Sequence, residues 1–494
     1  MPSTPRFKVT QDATTVFVEI HVPYVRVSEM EYHIDGTNFS FWCKPYLLNL
    51  TFPGAVVDDD RAKAVYDMNK NHGTITVHLP KETPDAHFPD LDLLTTLLQK
   101  KWKPEDEGLP DSLPKAPLIQ VVESSNSKES EQVETPTTAP PQVASKTDSS
   151  LLSFEDKEPP IKLSVGPPTY GFNNSFSDFF KCWHGELHEV ISLPTPETSS
   201  PLERRQLRTA VEDEDFDVER YLMDFSNQSE DEYFQGAIAF TPFWTTLPPW
   251  TPPTSASLIV DITSTMAAVD LDSPSSPSPA AVVFTDKENE LLLRLPRKEY
   301  LPFSPTESRY VWHGLLDILA AYCYDMRATQ GEPNVESPWT LSILSSTLSW
   351  LDTPDTLADV VKHAFRRALT YPFLRQWDLI HAAVTDVVNL LKRGKRVVLR
   401  VLLAIYSVFE KSETYYLLNT LYIQDYATWI QTIQDSDVSQ WGDQLGATLA
   451  AFQKDQTGWA LTQMERALLE EDDDDEESSE DEEDSDESDE SPTE

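Results

Sequence analysis

Two folded parts of opposite class are predicted. An all-β antiparallel sandwich occupies residues 1–102 and an all-α domain residues 161–470, with a disordered linker at 103–160 and a disordered acidic tail at 471–494. Three observations carry this reading. Apolar side chains alternate with polar ones at period two from Phe7 to Leu79, and they recur every three or four residues beyond about Leu163. Between these stretches the chain turns to Pro, Ser, Thr, Glu and Lys with almost no aromatics, too little apolar surface to offset the entropy of ordering. A length of 494 residues also exceeds what one hydrophobic core usually serves.

The strands are taken first. Phe7 and Val9, then Val16, Val18, Ile20 and Val22, then Phe39, Phe41 and Cys43, then Leu48, Leu50 and Phe52, then Ile75, Val77 and Leu79 alternate with polar neighbours. About seven short strands with no helical pattern between them imply an antiparallel sandwich. Asp35-Gly36 and Asn71-His72-Gly73 are hairpin signals, and Pro23, Pro45, Pro53 and Pro80 fall at strand ends, where a missing donor does least harm. LDLLTTLLQKKW at 91–102 predicts one short amphipathic helix closing the domain. The linker that follows is an elastic tether, which lets the two folded parts engage one partner together or act separately.

In the second part, Phe176, Phe179, Phe180, Trp183, Leu187 and Val190 share one helical face behind Ser175 or Ser177 as cap, and a second helix is predicted from Pro201 to Phe225. Prolines and serines return at about 243–280 and read as an insertion loop. Thr285 and Glu288 then make a capping box before LLLRL. Ser304, Pro305 and Glu307 make the best-marked start in the chain, ahead of a stripe of Val311, Leu315, Ile318, Leu319 and Tyr322 widened by Leu316 and Ala320. Ser337-Pro338 repeats that signal before Trp339, Leu341, Leu344, Leu348 and Leu351, and Thr353-Pro354 opens the next helix. Further stripes run from Leu374 to Leu391, stopped by Gly394, then from Val398 to Phe409, and from Tyr416 to Ile433. Many helices with short connections describe a bundle around a shared core.

Charge bounds the function. The sequence has 83 acidic and 39 basic side chains, a formal charge of −44, which argues against gripping nucleic-acid phosphates directly and for a basic partner. Residues 470–494 hold 18 of those acids and no Lys or Arg, which leaves −26 for the rest. Ser478, Ser479, Ser485 and Ser488 lie among these carboxylates, where an acid-directed kinase would add charge. Cys43, Cys182 and Cys323 are odd in number, far apart and set in apolar patterns, as reduced core thiols are, so a cytosolic or nuclear compartment is expected. No apolar run follows a basic start and none reaches about 18 residues, so neither secretion nor a membrane span is expected.

Catalytic and metal chemistry find no foothold. His184 and His188 are four apart, but the zinc-hydrolase arrangement needs Glu directly after the first His and Glu186 stands one place late, so surface histidines are the simpler reading. No nucleophile elbow, phosphate loop or dinucleotide fingerprint occurs, and 14 glycines supply little of the backbone freedom such loops require. No enzyme activity and no cofactor are expected. Lys392, Arg393, Lys395 and Arg396 form the dense basic cluster of the helical part, read as a helix-end cluster or as a nuclear-import signal.

The polar loop at 324–339 is the strongest candidate for recognition. Asp325, Arg327, Glu332, Asn334, Glu336 and Trp339 crowd between two well-anchored helices, either as a self-capping loop or as a surface offered to a partner. The same two readings apply to Asp425 and Tyr426.

Several long words carry a resemblance. DILAAYCYDMRATQGEPNVESPWT at 317–340, YPFLRQWDL at 371–379, LYIQDYATWIQ at 421–431, YGFNNSFSDFFK at 170–181 and FDVERYLMDF at 216–225 resemble, in order, the Shq family of H/ACA ribonucleoprotein assembly chaperones. TVHLPKE at 76–82 is similar to the final strand of CS domains, the sandwich shared with small heat-shock proteins. The resemblance implies a CS-type sandwich that binds proteins, and a helical domain that holds the pseudouridine synthase dyskerin over surface later used by RNA until remodelling ATPases release it. It further implies a monomer acting in nucleoplasm and cytoplasm, with no direct contact to nucleic acid. Phe7, Gln11 and Lys81 match positions that the resemblance makes an exposed patch, although Phe7 also fits the alternating core face. A different reading is a general CS-domain co-chaperone of the ninety-kilodalton heat-shock ATPase.

Overall fold

The computed structural model describes residues 3–23, 30–59, 61–67, 73–99, 168–183, 186–227, 232–251 and 282–470. The linker expected at 103–160, the tail with its serines, most of the insertion at 243–280, Asn71, His72 and His184 lie outside the described residues.

Among the described residues seven strands form: β1 (Arg6–Gln11), β2 (Thr15–His21), β3 (Glu31–Asp35), β4 (Asn38–Cys43), β5 (Tyr46–Thr51), β6 (Lys63–Asp67) and β7 (Thr74–Pro80). They make a four-stranded sheet in the order β1-β2-β7-β6 and a three-stranded sheet in the order β3-β4-β5, every neighbour antiparallel. Register sets Val16, Val18 and Ile20 opposite Leu79, Val77 and Ile75. All six are fully buried, so the period-two pattern is one face of a sheet turned to the core. Phe39 and Phe41 answer from β4. Gly36 supplies the left-handed backbone of the β3–β4 hairpin.

Of the closing helix expected at 91–102, the described residues, to Gln99, form a single turn at Leu94–Leu97. Leu91, Leu93, Leu94, Leu97 and Leu98 are all buried, which no single helical face could achieve. This segment is instead docked on the helical part, where the Thr95 hydroxyl donates to the Leu292 carbonyl at 2.7 Å and the Gln99 amide to that of Lys298 at 3.0 Å.

The helical part contains α1 (Pro201–Asp215), α2 (Val218–Asn227), α3 (Glu232–Ala239), α4 (Asp286–Arg294), α5 (Pro305–Ala328), α6 (Ser337–Leu344), α7 (Leu357–Thr370), α8 (Trp377–Leu391), α9 (Lys395–Glu410), α10 (Gln424–Trp429) and α11 (Asp435–Ala451). Helix α5 is the axis. Its capping box at Ser304 and Glu307 forms as the sequence requires, and every residue from Val311 to Arg327 is buried. Gly314 lies within it because the Tyr426 hydroxyl occupies the space a Cβ would need. The capping box of Thr285 with Glu288 at α4 also forms.

Five elements depart from the expected pattern. The aromatic stretch at 170–190 is not one helix; it is made of short turns at Phe172–Asn174, Phe179–Cys182 and Leu187–Val190, with Asn173, Asn174 and Asp178 left-handed. The Tyr170 hydroxyl and the amides of Asp178 and Phe180 all converge on the Glu197 carboxylate, which competes with helical pairing. Without that helix Cys182 is exposed, while Cys43 and Cys323 are buried thiols. The helix expected from Pro201 to Phe225 breaks at Phe216, because the Asp217 carboxylate takes the Arg220 amide and starts α2 anew. Helix α6 stops at Leu344, since the buried Asp317 of α5 accepts from the Ser345 hydroxyl at 2.6 Å and the Thr347 amide at 2.9 Å. Helix α7 starts three residues late, with Thr356 rather than Thr353 as its cap. The stretch from Tyr416 to Ile433 is interrupted by a wider π turn at Asn419–Ile423.

Candidate partner-binding surface

Two of the predicted surface residues, Gln11 and Lys81, prove to be a clamp, and the third, Phe7, belongs to the core. The Lys81 ammonium is buried and donates to Gln11 Oε1 at 2.9 Å and to the carbonyls of Asp12 and Ala86 at 2.7 Å each. Gln11 also exchanges both amide hydrogen bonds with the Phe88 backbone. Burial lowers the Lys81 pKa, partly opposed by Asp12 and Asp85. Gln11 and Lys81 together fix the chain where it leaves the sandwich for Asp90 and Asp92.

Those two carboxylates meet the basic cluster. Lys395 Nζ lies 2.9 Å from Asp90, and Arg396 reaches Asp90 and Asp92 at 2.8 Å. Cations at the start of α9 oppose the helix dipole, and the sandwich segment supplies the negative charge that compensates them. Arg393 donates to the carbonyls of Leu247 and Thr245, and Lys392 pairs with Asp443. The cluster thus sits where α8 ends and α9 begins, and two of its members, Lys395 and Arg396, fasten the sandwich segment to the helices while Lys392 and Arg393 bond within the helical part.

The loop predicted at 324–339 is shorter, because α5 continues to Ala328 and α6 begins at Ser337; the recognition candidates, with Asp425 and Tyr426 on α10, divide into an inner and an outer set. Arg327 is buried, with Nε 2.5 Å from Asp386, and its Nη1 caps α3 through the carbonyls of Ala237 and Ile238. Asp425 is buried against Lys298 Nζ at 2.7 Å and the Tyr300 hydroxyl at 2.7 Å. Tyr426 is buried and donates to the Val311 carbonyl at 3.0 Å. These three serve the interior. Asn334 accepts from the amides of Glu336 and Ser337, so the self-capping reading of the loop also holds.

The outer set is different. Glu332, Asn334 and Glu336 are exposed, Trp339 is 43% exposed despite its helical position, and Val335 stands fully in solvent. Two residues the sequence reading did not single out complete the surface. Phe373, in the α7–α8 connection, is 74% exposed, and Tyr233 at the start of α3 is 73% exposed. With Asp325 they line one groove of about 410 Å³. Asp325 itself is 2% exposed, and its Oδ2 has no hydrogen-bond partner. Desolvation raises its pKa to about 6 although the Ser337 hydroxyl opposes the change. A Phe directly after Pro in a short connection was the available sign of Phe373; nothing local marks Tyr233 as exposed.

Elsewhere a large buried charge network joins α1 to α7. Glu212 accepts from Arg208 at 2.7 Å and from Arg366 and Arg367 at 2.8 Å, and Arg208 also meets Asp352 at 2.9 Å. Burial pushes the His363 ring well below its ordinary pKa, reinforced by Arg208, to which it is hydrogen bonded.

Fold and surface define a CS-type sandwich protein whose second body is all helical. The family described as "SHQ1-like, CS domain" matches residues 4–98, and that described as "SHQ1 protein, Shq1 domain" matches residues 273–461. Neither description names a catalytic family. The chain is 34% identical to "Protein SHQ1 homolog" of Xenopus tropicalis over 94% of this chain and 69% of the relative. It is 33% identical to "Protein SHQ1 homolog" of Mus musculus, over 94% and 75%, and 33% identical to "Protein shq1" of Schizosaccharomyces pombe, over 94% and 95%. The chain belongs to the Shq1 family.

Proposed function

We propose that this chain is a non-enzymatic assembly chaperone of box H/ACA ribonucleoproteins, which holds a dyskerin-type pseudouridine synthase before RNA is loaded. Membership of the Shq1 family supports the reading, and one physical observation carries it. Against a formal charge of −44, Lys395 and Arg396 of the densest basic cluster are neutralised by Asp90 and Asp92. An acidic exterior is suited to a basic, RNA-binding face, by the same attraction that the RNA later uses. In this reading the chain acts as a monomer in nucleoplasm and cytoplasm, makes no contact with nucleic acid itself, and is released by remodelling ATPases.

Titrating the full chain against the purified synthase over a salt series, with and without H/ACA RNA, tests this. Affinity should fall as salt rises and RNA should compete. Absence of binding removes the chaperone reading, and binding indifferent to salt and RNA removes the mimicry. Binding to the ninety-kilodalton heat-shock ATPase alone would favour the general co-chaperone reading instead.

A further inference from the structure

The groove beside the loop after α5 has unlike parts that make sense together. Its rim carries Trp339 and Phe373, large rings that a folded chain would ordinarily cover. Its lining includes the Asp325 carboxyl, at 2% exposure and with Oδ2 unpaired. An acceptor held out of water without a donor destabilises the fold unless a ligand completes it.

We propose that this groove, with Trp339 and Phe373 as walls and Asp325 Oδ2 as the acceptor, receives an arginine side chain from a basic segment of a protein partner. A cation is required, because the unfilled group is an acceptor of negative character and the walls offer the negative faces of aromatic rings. Arginine suits the walls better than lysine: its guanidinium is planar, stacks on rings and is more weakly hydrated than an ammonium. Phe373 already lies near one guanidinium, that of Arg220, 5.8 Å from the ring centroid. A groove of about 410 Å³ leaves room for residues on either side of the arginine, as an extended segment would need. Glu336 on the same lining and Glu332 in the adjoining loop add negative charge around the mouth. The inference deepens the proposed function and rests on its premise that the partner is a basic protein.

The test uses the full chain labelled with nitrogen-15, with the Trp339 indole resonance assigned through Trp339→Phe. A capped Gly-Gly-Arg-Gly-Gly peptide is titrated, beside peptides carrying lysine or the neutral isostere citrulline in place of arginine. The arginine peptide should shift the Trp339 resonance, the lysine peptide should bind more weakly, and the citrulline peptide should leave it unmoved. Asp325→Asn keeps the shape of the side chain and should abolish the response, and Phe373→Ala, at an exposed ring, should weaken it about three- to fivefold. An equal response to citrulline, an equal response to lysine, or an undiminished response in Asp325→Asn would each overturn the proposal. No synthase is present in this titration. A failed peptide with an intact synthase complex rejects the groove alone, and a bound peptide without a synthase complex rejects only the client.

Discussion

Glu212→Gln removes the one negative charge that three guanidiniums share, while keeping the volume and one acceptor oxygen. Glu212, Arg208, Arg366 and Arg367 are each at most 3% exposed, so water cannot replace what is lost. Breaking a buried pair by removing one partner costs about 3–5 kcal/mol. Here the lower figure should apply, because Arg208 keeps Asp352 at 2.9 Å and Arg366 keeps Asp213 at 2.7 Å. Arg367 loses its carboxylate and retains the Ile343 carbonyl, the Ser349 hydroxyl and the face of the Tyr371 ring. The expected loss is about 3 kcal/mol, read as a shift of the urea midpoint of the helical part by tryptophan fluorescence at neutral pH. Burial by itself would raise the Glu212 pKa, but Arg208 and Arg367 more than reverse this and hold it below the ordinary value. The unfolded chain therefore takes up a proton more readily than the folded one, so this stabilisation is complete above the unfolded pKa and fades as pH falls through the folded one. The gap between wild type and Glu212→Gln should narrow once pH drops below about 4. Unchanged midpoints, or a gap that persists in acid, would refute the argument.

For Asp325 the sign is opposite. Its pKa is raised to about 6, so the folded chain binds the proton more tightly and stability declines as pH rises from the unfolded value through 6. Asp325→Asn should stabilise the free chain at neutral pH by as much as about 3 kcal/mol and do little at pH 4, by thermal unfolding at the two pH values; no gain at neutral pH would contradict the burial of an unpaired charge. Gly314→Ala should lower stability by about 1–3 kcal/mol through overpacking against the Tyr426 hydroxyl, and Tyr426→Phe in the same chain should recover part of the loss; an Ala variant as stable as the parent would mean that the space is not occupied.

Elements set by local chemistry were legible. The alternation of Val16, Val18 and Ile20 needs only the sheet period, and the boxes at Thr285 and Ser304 need only a hydroxyl and a glutamate three residues on. What was hidden depends on distant partners. Arg208 reads as one of many charges on a polar helix, and its burial rests on His363 and Asp352, each over 140 residues away. The aromatic run at 170–190 has helical spacing, yet Glu197 and the left-handed Asn173, Asn174 and Asp178 fold it otherwise. Within the candidate loop, polarity alone could not separate the inward Asp325 and Arg327 from the outward Glu332 and Glu336. The relevant partner of Arg327 is Asp386, on α8.

The junction of Asp90 and Asp92 with Lys395 and Arg396 has a topological outcome. Because the carboxylates lie on the segment leaving β7 and the cations open α9, ligands touching either body meet a common frame, and a push on one is felt by the other through ionic rivets rather than through a slack string. Salt strong enough to loosen those rivets would leave the leucines buried between 91 and 98 to keep the two bodies joined.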